Sequence, residues 1–392
     1  MASVIIDATR TAIGAFGGTL KDISAPDLGA HCIRALVERN GIAADAFDDV
    51  IMGHVLGAGV GQIPSRQALI RGGLAESTPS ITINKVCASG MRSVTLCDAL
   101  IKAGQGNLFM AGGFESMSNA PYADFQHRWG GRMGDGKMVD LMIHDGLWCA
   151  FEGVHMAMHG NTISKEYEIS REACDEFSAK SQALAQDAMD SGRLAEEITA
   201  VEIPQRKGDP VVFDRDEQPR PGTTAEVLAK LRPVLGTELI TAGNAPSVND
   251  GGAALIVASE QRAKEMGKKP LARILGEAHV AMKPYQFPVA PAFAVQKLLV
   301  EQGRSLSDIK LIECNEAFAA VALACGQILE WDADKVNVNG GAVAFGHPIG
   351  MSGARIIMTL AYELRRRGGG LGVACICSGS GQGDAVLIEV DG

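Results

Sequence analysis

The chain has 392 residues, 46% of them apolar and 21% charged, with 47 glycines and only 5% aromatic side chains. That length suits roughly two to three domains, and the apolar fraction excludes an intrinsically disordered chain. A formal net charge of −10 argues against nucleic-acid binding, which needs a basic stripe, but leaves room for a local basic patch facing an anionic ligand.

The nine cysteines, at 32, 87, 97, 149, 174, 314, 325, 375 and 377, are scattered and odd in number. They read as reduced thiols of a cytoplasmic protein rather than as a disulfide framework. No secretory signal is read at the start. No apolar run reaches the roughly 18 residues a membrane helix needs, so no membrane partner is expected.

In chain order, 3–8 reads as a strand, 28–39 as a helix, 49–56 as a strand, 91–104 as a helix and 107–113 as a strand. This alternation predicts parallel βαβ units. From about Pro121 to Gly243 the rhythm is lost, apart from one amphipathic helix over 170–192 with Ser170 as its cap. Residues 120–243 therefore read as an insertion that carries function. The rhythm then returns: a mixed strand–helix stretch at 251–267, a strand at 271–280, a helix at 291–303, strand into loop at 309–318, a helix at 352–368, and strands at 371–379 and 384–390.

A weak internal repeat relates 82–113 to 337–379. In each, a loop leads to Ser-Gly-x-Arg opening a helix (Ser89 to Arg92; Ser352 to Arg355), followed by an apolar strand that ends in glycines. This predicts two similar halves, each centred on a parallel sheet.

Four places carry candidate chemistry. Cys87 precedes a helix among the small residues Ala88, Ser89 and Gly90. Unpaired N–H groups and the helix dipole would favour its thiolate; a buried structural cysteine fits the spacing too. His347 lies in a glycine-rich loop between a strand and a helix, a place suited to a general base. Cys377 ends a strand and leads into Gly379, Gly381 and Gly383, so it could present sulfur and backbone N–H groups to a ligand. Cys375-x-Cys377 lacks the further ligands of a metal site, and no metal is expected. Asn315 and Glu316 follow an apolar strand, where they could orient water or substrate or cap the next helix. Two other signals are faint. Gly57-x-Gly59-x-Gly61 lacks dinucleotide-loop order, and Glu152, His155 and His159 do not spell a zinc motif.

Together these motifs resemble the thiolase family from end to end. The carriers are Arg10 to Gly14, Asn84 to Gly90, Glu115 to Ser118, Asn315 to Phe318, Gly346 to Gly350 and the glycine-alternating terminus from Cys377. The stretches 287–294 and 346–356 look most like mitochondrial-type acetoacetyl-CoA thiolases.

The resemblance implies an α/β fold: a five-layered α/β/α/β/α body of two similar halves with an inserted loop domain. The halves would be 1–119 with 244–267, and 268–392; residues 120–243 would be the insertion, serving coenzyme A binding and oligomerisation. It implies a homotetramer, and acyl-CoA substrates with no separate cofactor.

Cys87 resembles the nucleophile that takes the acetyl group, His347 its base, and Cys377 the second acid/base. Asn315 resembles the residue that, through a water and with His347, lines one oxyanion hole. The Cys87 and Gly379 N–H groups resemble the other. Arg220 resembles a contact to the nucleotide end of coenzyme A, inside a stretch 204–232 with six basic residues against five acids. Leu147, His155, Met156, Ala242, Ala245, Ala317 and Phe318 resemble the pantetheine wall.

Two departures stand out. Pro246 replaces the serine that usually touches the pantetheine amide, leaving Ser247 as the nearby substitute. The usual Met-Gly-x-Gly-Pro is replaced by Pro284-Tyr285-Gln286-Phe287-Pro288. The implied reaction is reversible condensation of two acetyl-CoA to acetoacetyl-CoA and coenzyme A. The alternative is degradative thiolysis of longer or 2-methyl-branched acyl chains.

Overall fold

The computed structural model describes residues 2–392. Nine strands carry its main sheet: β1 (Ser3–Arg10), β2 (Asp49–Gly53), β3 (Ser80–Ile83), β4 (Leu108–Ser116), β5 (Asn249–Ser259), β6 (Ala272–Ala281), β7 (Leu311–Cys314), β8 (Gly370–Ser378) and β9 (Gln382–Val390). The main helices are α1 (Ala25–Asn40), α2 (Pro64–Arg71), α3 (Ser89–Lys102), α4 (Met156–Glu166), α5 (Arg171–Asp190), α6 (Ala290–Glu301), α7 (Ala319–Leu329) and α8 (Ile349–Arg366).

The strands run in the order β7-β8-β9-β6-β1-β5-β4-β2-β3, with the two-residue strand Gly14–Ala15 paired to β5 off this path. The order conceals a repeat. The first half reads β1-β5-β4-β2-β3 and the second β6-β9-β8-β7, with a parallel bridge from Ile312 to Val336 standing where β3 stands in the first. The halves meet where Ser3–Ile5 of β1 pairs antiparallel with Ala272–Ile274 of β6.

The expectation of parallel sheets needs correction. Only β2–β3, β2–β4 and β7–β8 pair in parallel; β1–β5, β1–β6, β5–β4, β6–β9 and β8–β9 are antiparallel. The physical reason is connectivity. After β8 the chain turns back within three residues, Gly379 to Gly381, too few for a crossover to a parallel neighbour. In the first half β5 returns beside β4, opposing Asp250 to Ser116, only after the long excursion between them. The stretch read as mixed strand–helix is β5 up to Ser259 and a short helix from Glu260 to Glu265.

Five layers follow from which faces are buried. Helices α1 and α2 cover the first half of the sheet, and α6 covers the second with α7 packed beside it. Between the halves lie α3 and α8, packed on each other. Helix α8 is buried at every residue from Ile349 to Leu364, as a helix enclosed on all sides must be. Every residue of β4 and β5 is buried as well.

The excursion is tied back by a buried cation. Arg10, 1% exposed at the end of β1, donates to Asp216 at 2.7 and 2.9 Å and to Glu197 at 2.7 Å. The charge on each side satisfies the other, which a buried ion requires.

The two central helices cross at glycines. A Cβ on Gly90 would stand 2.8 Å from the Gly350 oxygen and the Ala354 nitrogen, one on Gly353 2.3 Å from the Met91 nitrogen, and one on Gly113 2.0 Å from the Gly350 oxygen. The obstructing atoms are backbone and cannot swing aside. Gly353→Ala is therefore expected to cost about 1–3 kcal/mol through overpacking, seen as a lower denaturation midpoint in urea. An unchanged midpoint would show that the helices can part freely.

Candidate active site

The loop before α3 is wired residue by residue. The Asn84 side-chain oxygen accepts from the Val86 N–H at 2.9 Å. Ser89 Oγ accepts from the Lys85 N–H at 2.8 Å and donates to the Val86 carbonyl at 2.7 Å. Val86 is thereby held at φ 46°, a left-handed conformation costly for a β-branched residue. The strained turn presents Cys87 at the helix entrance. Ser378 donates to the Lys85 carbonyl at 2.5 Å, and Lys85 Nζ pairs with Asp384 at 2.7 Å. Both contacts bind the Cys87 loop to the β8–β9 hairpin that carries Cys377.

His347 stands just before the other central helix, α8. Its N–H donates to Asn249 Oδ1 at 3.1 Å and to the Ser247 carbonyl at 3.3 Å. The ring's tautomer follows from its neighbour. Ser352 Oγ donates to the Pro348 carbonyl at 2.9 Å, so toward His347 Nδ1, 2.6 Å away, it accepts. The proton thus sits on Nδ1. Nε2 is left as a bare lone pair, buried and without a protein partner. Burial, with the Arg355 charge second, lowers the His347 pKa to about 3. The group is a neutral base.

Cys377 is fully buried, and burial raises its thiol well above 9, with the neighbouring Cys87 sulfur adding to the rise. Asn315 is buried with both amide atoms unpartnered. It does not cap α7, whose entry residue is Phe318 with no side-chain cap. Its turn is held instead by Asn337, which exchanges hydrogen bonds with the Cys314 N–H and carbonyl at 2.8 and 2.9 Å.

The expectation of a ready thiolate at Cys87 also needs correction. Burial pushes this thiol up to about 12, and the Gly379 and Cys87 N–H groups facing the sulfur only offset part of that. An apolar surround penalises the anion more than two donors favour it. The proton stays on sulfur until a base removes it, and those two N–H groups remain aimed at the place where charge would develop.

An apolar cavity of about 340 Å³ adjoins this group. Cys87, His347, Gly379, Leu147, His155, Met156, Ala242, Ala245, Ser247, Ala317 and Phe318 all line it.

Residues 3–261 match the family described as thiolase, N-terminal domain, and residues 268–390 the thiolase, C-terminal domain. An acetyl-CoA acetyltransferase of Escherichia coli is 49% identical over 390 residues, covering 98% of each chain. One from Thiocystis violacea is 48% identical over 387 residues, again covering 98% of each. The crystal structure of the Bacillus anthracis acetyl-CoA acetyltransferase superposes with a TM-score of 0.97 at 39% identity, covering 99% of this chain and 98% of that one.

The chain belongs to the thiolase family. It is an acyltransferase with the thiolase fold, and its site residues can be placed accordingly. Cys377 and Asn315 are fully buried and are not among the residues that line the cavity. Arg220 is exposed and lines a separate shallow depression with Gln182, Asp187 and Asp190. His155 caps α4, its Nδ1 accepting from the Ala157 N–H at 3.1 Å, and burial lowers its pKa. Ser247 Oγ faces Asn249 Oδ1 at 2.7 Å and donates to it. That hydroxyl proton is already committed, although its lone pairs remain. The faint zinc-like trio resolves as a pair, His159 to Glu152 at 3.1 Å.

Sequence reasoning missed Ser352 as the histidine's partner, Asn249 as the anchor of its backbone, and Arg355 as a charge that keeps it neutral. The one available signal was the serine in the first turn of the helix after His347-Pro348.

Two outcomes follow from the tautomer and the lowered pKa of this thiolase's histidine. Ser352→Ala removes the acceptor of Nδ1–H and leaves a buried donor unpaired, which costs about 1–3 kcal/mol, or about 5- to 150-fold in rate. Steady-state assays should show the loss in kcat rather than KM. The sign of the pH effect is fixed by direction: a group lowered from 6.5 stays neutral as pH falls past 6.5. The acid limb of kcat/KM is therefore expected below pH 6.5, and a limb at or above that value would contradict the neutral base.

Proposed function

We propose that this thiolase is an acetyl-CoA C-acetyltransferase, joining two acetyl-CoA into acetoacetyl-CoA and coenzyme A, reversibly, by a ping-pong route. The observation that carries this reading is the meeting, in the lining of one apolar cavity, of Cys87, the unprotonated Nε2 of His347 and two convergent N–H groups. The names of the relatives agree with it.

In the first half-reaction His347 Nε2 takes the Cys87 proton as the sulfur attacks the thioester carbonyl. The oxyanion that forms is held by the Cys87 and Gly379 N–H groups, the kind of donor pair whose loss typically costs about 10²–10³ in rate. As the tetrahedral adduct collapses, the coenzyme A sulfur leaves with the proton from His347, and acetyl-Cys87 remains. In the second, Cys377 passes its thiol proton to His347 Nε2 and, as thiolate, removes a methyl proton from another acetyl-CoA. The enolate oxygen is held by a water on the unpartnered Asn315 amide and by the now protonated Nε2 of His347. The enolate carbon attacks acetyl-Cys87, and the departing Cys87 thiolate takes the proton from His347, so that both cysteines end as thiols and His347 as the neutral base. No cofactor is required, because each electron pair moves between groups already named.

Arg220 and the basic 204–232 stretch would hold the nucleotide end of coenzyme A outside the cavity. Two apolar surfaces support a homotetramer. One is the sheet-edge strand β3, with Ile81 46% exposed and Ile63 and Ile70 nearby in chain order on or beside α2. The other is the arm around 122–140, where Trp129 and Met133 are 92% and 97% exposed. An edge strand and bare apolar side chains are both surfaces that a protein normally covers. Nine free thiols, eight of them buried, support a reducing, cytoplasmic setting. No helix among the described residues is long and apolar enough to cross a membrane.

Cys87→Ala is expected to abolish acetyl transfer. Cys377→Ala is expected to accumulate an acetyl adduct, visible by intact mass, while barely condensing; normal turnover in either variant refutes the assignment. Thiolysis of C4 in preference to 2-methyl-C4 and C8 substrates is expected, and the reverse order would favour the degradative alternative. In light scattering, Trp129→Ser with Met133→Ser should reduce a tetramer to a dimer; a wild type that is already dimeric overturns the tetramer.

A further inference from the structure

Glu115 lies outside the reaction steps above, yet it is one of the most heavily bonded carboxylates in the molecule. It ends β4 with no exposure at all. One carboxylate oxygen accepts from the Val55 N–H at 3.1 Å and the Gly350 N–H at 2.9 Å. The other accepts from the Leu56 N–H at 3.1 Å and faces His54 Nδ1 at 2.9 Å. Gly350 is the second residue of α8, three positions after His347, where an unpaired helix N–H favours a negative partner. Val55 and Leu56 pack with Val86, Cys87 and Ile349 in one apolar cluster. A single buried charge thus grips the helix entry behind the base and the loop beneath the nucleophile.

Among the described residues, His54 is the only cation-forming side chain in contact with that carboxylate. The ring is 3% exposed and is held on its Nδ1 side by Glu115 and by the Phe114 carbonyl at 3.2 Å. Its other nitrogen has no protein partner, and the ring borders a polar cavity that also reaches Gln67, Arg71 and Ser116.

Resting on the thiolase reading of the site, we propose that Glu115 and His54 form a positioning pair for the reaction. Glu115 fixes His347 relative to Cys87, and His54 donates to Glu115 and holds that carboxylate in place. Without His54, the oxygen that also accepts from the Leu56 N–H would lose a partner in a site with no exposure, where a buried charge needs its hydrogen bonds. The attraction of Glu115 also raises the His54 pKa against the effect of burial.

The test compares Glu115→Gln, His54→Leu, His54→Asn and the double variant Glu115→Gln/His54→Leu in full-length protein. The expected result is a kcat at least tenfold lower in Glu115→Gln and in His54→Leu, with KM for acetyl-CoA within twofold of wild type. His54→Asn, which keeps a donor toward Glu115, should recover most of the loss. The double variant should be no slower than Glu115→Gln alone, because both changes break one contact. Iodoacetamide should alkylate Cys87 at a rate altered in the same order, a readout independent of turnover. Should Glu115→Gln fail to fold, the contrast between His54→Leu and His54→Asn decides alone. Wild-type kcat in folded His54→Leu, equal losses in His54→Leu and His54→Asn, a loss confined to KM, or additive losses in the double variant each overturn the pairing. An inactive wild type would instead overturn the thiolase reading itself, so the two failures are distinguishable.

Discussion

Everything catalytic in this molecule depends on two helices touching backbone to backbone. At the crossing of α3 and α8, Gly90, Gly350 and Gly353, with Gly113 of β4, leave no room for a side chain. That contact sets Cys87 and His347, one at each helix entrance, against the same cavity although 260 positions separate them in the chain. Protein interiors are close-packed and yield little, so a contact without side chains is also a contact without slack. The two reacting groups inherit its rigidity.

The electrostatics around this contact keep the resting site uncharged. Burial holds the proton on Cys87 and Cys377 and holds it off His347. An uncharged, apolar slot accepts the thin arm of a thioester without having to strip water from an ion. Charge would then appear only where N–H groups already point, which is where preorganised donors act most strongly. Buried Arg10 is paired with Asp216 and Glu197, whereas Arg355 approaches Glu313 only to 3.5 Å, and burial pushes the Glu313 carboxyl up to about 8. Arg355 bears on the reaction only at a distance, by disfavouring a second positive charge at His347.

The two halves solve one problem in similar ways. In the first, Glu115 at the end of β4 accepts from backbone of the 55–56 loop and of α8. In the second, Glu316, just beyond β7, accepts from Ser181, Asn337 and the Val343 N–H at 2.8, 2.8 and 3.0 Å. Each is a carboxylate at or just past a strand end, fully buried, holding loops that do not neighbour it in sequence. Hydrogen-bond donors and, more weakly, the Arg355 charge stabilise Glu316 against burial, which raises its pKa. Glu115 has an imidazole beside it. The halves share a sheet order, therefore, but not a charge arrangement.

Much of this was legible in the sequence. Hydrophobic periodicity located the main elements to within a few residues, the Ser-Gly-x-Arg repeat announced two related halves, and glycine spacing singled out Cys87, His347 and Cys377. These are local properties, set by the period of a helix or strand and by where a backbone must approach closely. Strand direction was not legible, because a short apolar strand reads alike in either sense and only the return path of the chain fixes it. Nor was the protonation state of Cys87: the adjoining helix entrance favours the thiolate, whereas the bulk packed around the sulfur, which comes from distant segments, opposes it and prevails. The tautomer of His347, the idle amide of Asn315 and the grip of Glu115 on α8 depend on which atoms meet across the fold, and these only the tertiary structure decided.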